Sequence, residues 1–161
     1  MSKRIKVKAA DYTTVDADYD LLHKGCIKTN GRTIKFLYGH NRNLVLGNVI
    51  DLKEEDDGLY ATIELADESK IPILPQALYE LEAKLVDKMS IGFSYNEYVY
   101  NKELGHFDVT DISLYEVSMT PIPCNNETAY LGMVEDNESN TDSLLQALNN
   151  LVSGITNISN N

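Results

Sequence analysis

The stretch LVLGNVIDLKEEDDGLYATIEL, residues 44–65, decides the class of fold. Each half is typical of a β-strand, and an acidic turn at residues 54–58, ending in Asp-Gly, separates the two halves. Asp-Gly between hydrophobic segments is a strong signal for a β-hairpin, because these residues accept the backbone angles of a tight turn. Gly47 interrupts the first strand and predicts a bulge or a close backbone approach. We therefore expect a fold built mainly from β-strands.

Further strands are predicted on both sides of this hairpin. Residues 4–10 alternate, with Ile5, Val7 and Ala9 on one face and cationic side chains on the other, which is the pattern of a half-buried strand. Two prolines at positions 121 and 123 end strand pairing. The other segments with strand character are residues 33–38, 89–100, 106–110 and 112–120, with a last covering segment at 128–133.

One helix is predicted in the body of the chain. Pro75 can occupy its first turn, where the missing N–H costs nothing. Leu78, Leu81 and Leu85 recur at spacings of three and four, with Val86 alongside, and so form an apolar stripe. The predicted class is accordingly mainly β with few helices (α+β).

The composition changes near residue 134, and this divides the chain into two parts. Residues 1–133 form the predicted folded domain, and residues 134–161 form a tail. The tail begins with an acidic polar linker at 134–140 and continues as an amphipathic helix, which Thr141 or Asp142 could cap. The apolar residues of that helix are Leu144, Leu145, Leu148, Leu151, Val152 and Ile155.

Composition excludes several classes of function. The 161 residues carry 14 basic and 25 acidic side chains, a net charge of −11, and such a surface repels nucleic acid and anionic lipid. No apolar run is long enough to span a membrane, and the N-terminus turns polar too soon for a signal peptide, so we expect an intracellular soluble protein. Cys26 and Cys124 have neither CxxC spacing nor a histidine at ligand spacing, so we expect reduced thiols, no metal and no cofactor.

Three positions attract attention through their local settings. His40 follows a predicted strand and a glycine, so it lies at a strand end where side chains can converge. Ser90 comes straight after the helix, and Gly92 beside it would let a substrate backbone approach or free local N–H groups. Glu116 is expected on the apolar side of its strand, where a buried carboxylate needs a partner such as histidine.

A serine, a histidine and a carboxylate together suit acyl transfer, because a neutral imidazole can take the serine proton and a carboxylate can orient the imidazole. Taken singly, each of the three residues is weak evidence: a lone histidine is more often structural than catalytic, a serine in a strand is ordinary, and the glutamate could simply face solvent. His23 and His106 are interpreted as structural, the latter as exposed. A cysteine nucleophile at Cys124 is disfavoured, because that residue lies between a proline and an asparagine in a predicted turn.

The three residues stand in short blocks that follow one another across residues 5–131. The blocks are DYD at 18–20, KGC at 24–26, FLYGHN at 36–41, LG at 46–47, DGL at 57–59, MSIGF at 89–93, DISLYEVS at 111–118 and PIPCN at 121–125. In this order and spacing they resemble the phage prohead proteases, the capsid-maturation serine proteases. The chain departs from that family at Cys124, where alanine is more common, and this departure makes Cys124 a small buried residue rather than a nucleophile.

The resemblance implies a fold and a set of catalytic residues. The family is similar to the herpesvirus capsid proteases, which implies a compact β-barrel flanked by helices. Carried over by position, the resemblance implies Ser90 as the nucleophile, His40 as the general base and Glu116 as the orienting acid.

The resemblance also implies a function. The chain would be a serine endopeptidase acting in the host cell cytoplasm, within the immature procapsid. Its substrates and partners would be the scaffolding protein, the major capsid protein and its own chain, and it could form a homo-oligomer. The alternative is a catalytically idle scaffold-like or shell-binding module of the procapsid, to which the tail and the acidic turn would be equally suited.

Overall fold

Nine strands and one helix follow one another in residues 3–134, the part of the chain that the computed structural model describes. The strands are β1 Arg4–Asp11, β2 Asp20–Leu22, β3 Ile27–Lys28, β4 Lys35–Tyr38, β5 Asn41–Glu54, β6 Gly58–Leu65, β7 Lys88–Asn101, β8 His106–Thr120 and β9 Ala129–Met133, and the helix is α1 Leu74–Glu82. Strands dominate, which confirms the mainly β class. The predicted tail helix and nearly all of its linker lie outside the described residues.

All nine strands belong to one sheet. Its order is β2-β8-β4-β5-β6-β1-β9, and β3 and β7 also pair with β8. Over the described residues the sheet is not closed into a barrel, and α1 is the one helix beside it. The expected compact β-barrel flanked by helices is thus corrected, in residues 3–134, to a sheet that is not closed, with a single short helix.

Strand β8 organises the part of the sheet that carries the candidate site. One edge pairs antiparallel with β7, from Lys88 opposite Thr120 to Asn101 opposite His106. The other edge pairs in parallel with β2, β3 and β4 in turn. The two strands predicted at 106–110 and 112–120 are one continuous strand, because Asp111 also pairs, opposite Glu97.

The predicted hairpin of residues 44–65 is confirmed. Strands β5 and β6 pair antiparallel, Glu54 lies opposite Leu59, and the turn closes with a hydrogen bond from the Glu55 N–H to the Gly58 carbonyl. The backbone approach expected at Gly47 is also observed, since a β-carbon there would lie 2.3 Å from the Glu64 carbonyl oxygen. The hairpin is therefore a local feature that this stretch of sequence encodes by itself.

The helix is shorter than its apolar stripe predicted. Leu74, Ala77 and Leu81 are its buried residues, whereas Leu85 is 63% exposed. The helix ends because Lys84 has a left-handed backbone, with φ +56°, so Leu85 falls beyond the last turn and does not continue the stripe. In residues 3–134 no helix is long and apolar enough to cross a membrane.

The core holds in place the three strands that carry the candidate site. Phe36 on β4, Met89 on β7, and Leu114 and Met119 on β8 are fully buried. Burying a side chain of this size contributes roughly 1.5–3 kcal/mol. The backbone positions between these residues are accordingly fixed relative to one another, which gives a rigid support for the polar side chains described next.

Candidate active site

His40 lies in the tight turn between β4 and β5. Gly39 and His40 are the two central residues of this hairpin and have φ values of +57° and +60°, which is the arrangement of a type I′ turn. The turn is attached to β8, because the Gly39 N–H donates to the Met119 carbonyl at 2.9 Å and the His40 N–H donates to Ser118 Oγ at 3.1 Å. A left-handed backbone is uncommon for a residue other than glycine, and these contacts hold His40 in it.

The side chain of His40 meets the carboxylate of Glu116. The distance between His40 Nδ1 and Glu116 Oε1 is 2.6 Å, and the Glu116 side chain is 13% exposed. The predicted contact and burial are confirmed. The hydrogen bond to Glu116 raises the pKa of His40 above its ordinary value. Since a carboxylate oxygen accepts, Nδ1 carries the proton, and Nε2 of a neutral His40 remains available as a base.

Gly92 makes room for this carboxylate. It lies opposite Glu116 in the β7–β8 register, and a β-carbon at position 92 would lie 2.2 Å from Glu116 Oε1. An observed reason for Gly92 is therefore the seating of Glu116, while a close approach by a substrate backbone, or free local N–H groups, stays a prediction. The second carboxylate oxygen, Oε2, accepts a hydrogen bond from Ser118 Oγ at 2.5 Å.

Strand pairing brings Ser90 to the same region. Ser90 on β7 lies opposite Ser118 on β8, two positions from the Gly92–Glu116 pair. Since alternate residues of a strand face the same side of a sheet, Ser90 and Glu116 belong to one face. Ser90 is 9% exposed. Hydrogen-bond reach between Ser90 and His40 stays a prediction, and within residues 3–134 no hydrogen bond joins them.

Ser90 and His40 line one cavity of about 410 Å³. Its wall also contains Phe93, Ile122 and Cys124, and it is acidic on one side. Burial raises the pKa of the Cys124 thiol to about 12, so the thiolate form is scarce near neutral pH. A raised thiol pKa is consistent with the prediction that Cys124 is not the nucleophile. The acidic residues of the wall are Asp11, Asp16, Asp18 and Asp20.

The two other histidines contact a different acid. His23 Nε2 lies 2.8 Å and His106 Nε2 lies 3.2 Å from Asp108 Oδ1. His106 is buried rather than exposed, and it lies opposite Asn101 at the start of β8. Within the described chain, no group of three or more His, Cys, Asp or Glu side chains could hold a metal ion.

Ser118 and the acidic cavity wall are parts of the site that the residue patterns did not single out. Ser118 stands in a block quoted for its family resemblance, and the spacing Glu116-x-Ser118 was the available signal, since it places both side chains on one face of a strand. The cavity wall joins residues 11–20 to residues 121–125. That proximity arises from the chain's three-dimensional path and has no signature in local sequence.

The fold is similar to that of a protease of known structure. The structure of KSHV protease in complex with a hexapeptide phosphonate inhibitor superposes with a TM-score of 0.56 at 9% identity, covering 84% of this chain and 67% of that one. The protease of varicella-zoster virus gives a TM-score of 0.44 at 15% identity, covering 84% of this chain and 66% of that one. The first of these superpositions confirms the predicted likeness to the herpesvirus proteases at the level of fold.

Sequence comparison identifies the family. Residues 9–142 match the family described as Caudovirus prohead serine protease, and because this match spans most of the chain, the chain belongs to that family. The prohead protease of Escherichia phage T5 is 28% identical over 94 residues, which cover 58% of this chain and 43% of the phage T5 protein. The chain therefore matches less than half the length of that relative.

Proposed function

We propose that this protein is a serine endopeptidase of phage head maturation, with Ser90 as nucleophile, His40 as general base and Glu116 as the orienting acid. The observation that carries the proposal is the 2.6 Å contact between His40 Nδ1 and Glu116 Oε1, made at the wall of a cavity that Ser90 also lines. Membership in the Caudovirus prohead serine protease family supports the same reaction class.

Each residue has a defined part in the reaction. Nε2 of neutral His40 takes the proton of Ser90 Oγ, and Oγ forms a bond to the carbonyl carbon of the substrate. The tetrahedral intermediate then breaks its C–N bond, and the amine leaves with the proton that Nε2 returns. A water molecule, deprotonated by His40 Nε2, then bonds to the acyl carbon, and the bond from that carbon to Ser90 Oγ breaks as Nε2 returns the proton to Oγ, which releases the acid product and restores the Ser90 hydroxyl. Throughout, Glu116 holds the Nδ1–H tautomer and stabilises the imidazolium.

The proposed substrates are segments of the scaffolding protein and the major capsid protein, together with the protease chain itself. The proposed place of action is the interior of the procapsid in the host cell. The family and the phage T5 prohead protease support this assignment. A catalytically idle shell-binding module is not favoured, because a paired histidine and carboxylate beside a serine-lined cavity serves no evident purpose in a module of that kind.

The test is proteolysis by the purified chain, alone and with phage scaffolding protein. We expect self-cleavage and scaffold cleavage that disappear in Ser90→Ala. The matched control is Ser94→Ala, which removes a hydroxyl from the same strand. The Ser94 hydroxyl contacts the Tyr115 hydroxyl, and this variant should cleave like the parent. Cleavage that persists in folded Ser90→Ala would disprove the assignment, and a parent chain inactive on both substrates would favour the idle module.

A further inference from the structure

Ser118 contacts the backbone of His40 directly and is linked to the His40 side chain through Glu116. Its Oγ accepts the His40 N–H at 3.1 Å and donates to Glu116 Oε2 at 2.5 Å. Glu116 Oε1 in turn lies 2.6 Å from His40 Nδ1. These three contacts close a ring that starts and ends on His40, and Ser118 is the fully buried member of it.

Two parts of this ring need to be held in place: the carboxylate of Glu116 and the backbone of His40. The terminal torsion of a glutamate is broad, so one contact to Oε1 leaves the carboxylate plane free to turn, whereas a second contact to Oε2 fixes it. The backbone of His40 is left-handed, with φ +60°, and its N–H donates to Ser118 Oγ. One hydroxyl therefore satisfies a turn N–H and orients a carboxylate at the same time.

We propose that Ser118 is a positioning residue for His40, which it holds through the turn backbone and through Glu116. Its catalytic consequence rests on the proposed function, but the positioning itself is a property of the folded chain. The hydroxyl keeps Glu116 Oε1 aligned with Nδ1, so that the carboxylate favours the protonated imidazole. Ser118 does not touch the substrate and takes no proton from Ser90.

Three variants of serine residues on β8 separate positioning from general destabilisation. Ser118→Ala removes both hydrogen bonds, and Ser118→Thr retains the hydroxyl. Ser113→Ala is the matched control, because Ser113 is also buried on β8 but bonds to Asn30 and Asn96, away from the site. Hydrogen bonds to a charged group are typically worth enough to change an equilibrium roughly ten- to a hundredfold. We expect Ser118→Ala to lower kcat/KM by about that factor, with Ser113→Ala close to the parent.

The decisive readout is the titration of the His40 ring, followed by NMR in chains that also carry Ser90→Ala and so cannot cleave themselves. In that parent the His40 midpoint should lie above the ordinary value of about 6.5. Ser118→Ala should move it down toward that value, Ser118→Thr should return it upward, and Ser113→Ala should leave it in place. If Ser118→Ala does not fold, Ser118→Cys, which keeps the shape but bonds weakly, should shift the midpoint in the same direction.

An unmoved His40 midpoint in folded Ser118→Ala would overturn the positioning role, as would an equal shift in Ser113→Ala. This titration does not require hydrolysis. A chain without peptidase activity would therefore count against the proposed function, but the His40 titration would still test the positioning role of Ser118.

Discussion

Gly92 on β7 and Glu116 on β8 lie opposite each other, and the glycine leaves the space in which the carboxylate sits. A β-carbon at position 92 would come within 2.2 Å of Glu116 Oε1. Because that oxygen is the one that contacts His40 Nδ1, the geometry of the proposed base depends on a residue that carries no side chain. The glycine of the MSIGF block is thereby explained by packing inside the site.

The first prediction concerns this glycine. Gly92→Ala should push the Glu116 carboxylate away from His40 and lower kcat/KM on a peptide substrate roughly a hundredfold, since displacements of about 1 Å in an active site have effects of that size. The measurement is steady-state hydrolysis alongside thermal unfolding. Full activity in Gly92→Ala would mean that Glu116 can move without consequence, and the orienting role would be wrong.

The second prediction concerns pH. The hydrogen bond to Glu116 raises the pKa of His40, and the base must be neutral to act, so the acid limb of kcat/KM should lie above about pH 6.5. In Glu116→Gln the protonated imidazole loses its carboxylate. The limb should then move to lower pH, and the plateau should fall by at least about a hundredfold, since an amide in place of the orienting acid of a serine protease costs more than that. If the acid limb does not move in Glu116→Gln, then Glu116 does not influence the pKa of the catalytic base.

The third prediction concerns stability in acid. Burial opposes ionisation of Asp11, but hydrogen bonds from Lys8, Thr14 and Thr13 outweigh it and lower its pKa to about 2. A depressed carboxylate pKa contributes stability that is complete above the unfolded value of 3.8 and is lost as pH falls toward 2. Asp11→Asn should therefore lower the free energy of unfolding on the order of 2 kcal/mol at pH 7, with the difference from the parent closing near pH 2.

Urea unfolding at several pH values tests this expectation. The matched control is Asp56→Asn, whose fully exposed side chain pairs with Lys24, because such surface pairs contribute little. It should unfold like the parent. An equal loss in both variants, or a difference for Asp11→Asn that persists at pH 2, would contradict the linkage.

The fourth prediction concerns the two-part division of the chain, residues 1–133 and 134–161. The described fold closes with β9, after which the Val134 N–H donates to the Arg4 carbonyl. We expect removal of residues 135–161 to leave peptide hydrolysis within about twofold of the parent while reducing co-sedimentation with assembled procapsids. Lost hydrolysis with normal co-sedimentation would assign the tail to the catalytic fold instead.

Local features of this fold could be predicted from sequence, and long-range ones could not. The Asp-Gly hairpin, the alternation of Ile5 and Val7, and the start of the helix at the turn containing Pro75 each depend on neighbouring residues, and all are observed. Strands β2 and β3 have three and two residues, which is too short for an alternating pattern. Their parallel pairing with β8 is decided by tertiary contacts.

The candidate site shows the same division. The pairing of His40 with Glu116 could be anticipated, because a carboxylate on an apolar strand face needs a partner and the family resemblance supplied one. The ring through Ser118 depends on the type I′ turn and on the β4–β8 register together. Neither of these is visible in a single segment, so the spacing of Glu116 and Ser118 alone does not predict the ring.

The central claim is that His40 activates Ser90. Covalent labelling with a peptide phosphonate tests it most directly: the intact mass of the chain gives the labelling rate, and peptide mapping gives the labelled residue. We predict a single adduct, located on Ser90, formed at least about a hundredfold more slowly in His40→Ala and absent in Ser90→Ala. An adduct on another residue of the folded chain, or labelling of Ser90 at the same rate without His40, would contradict the account.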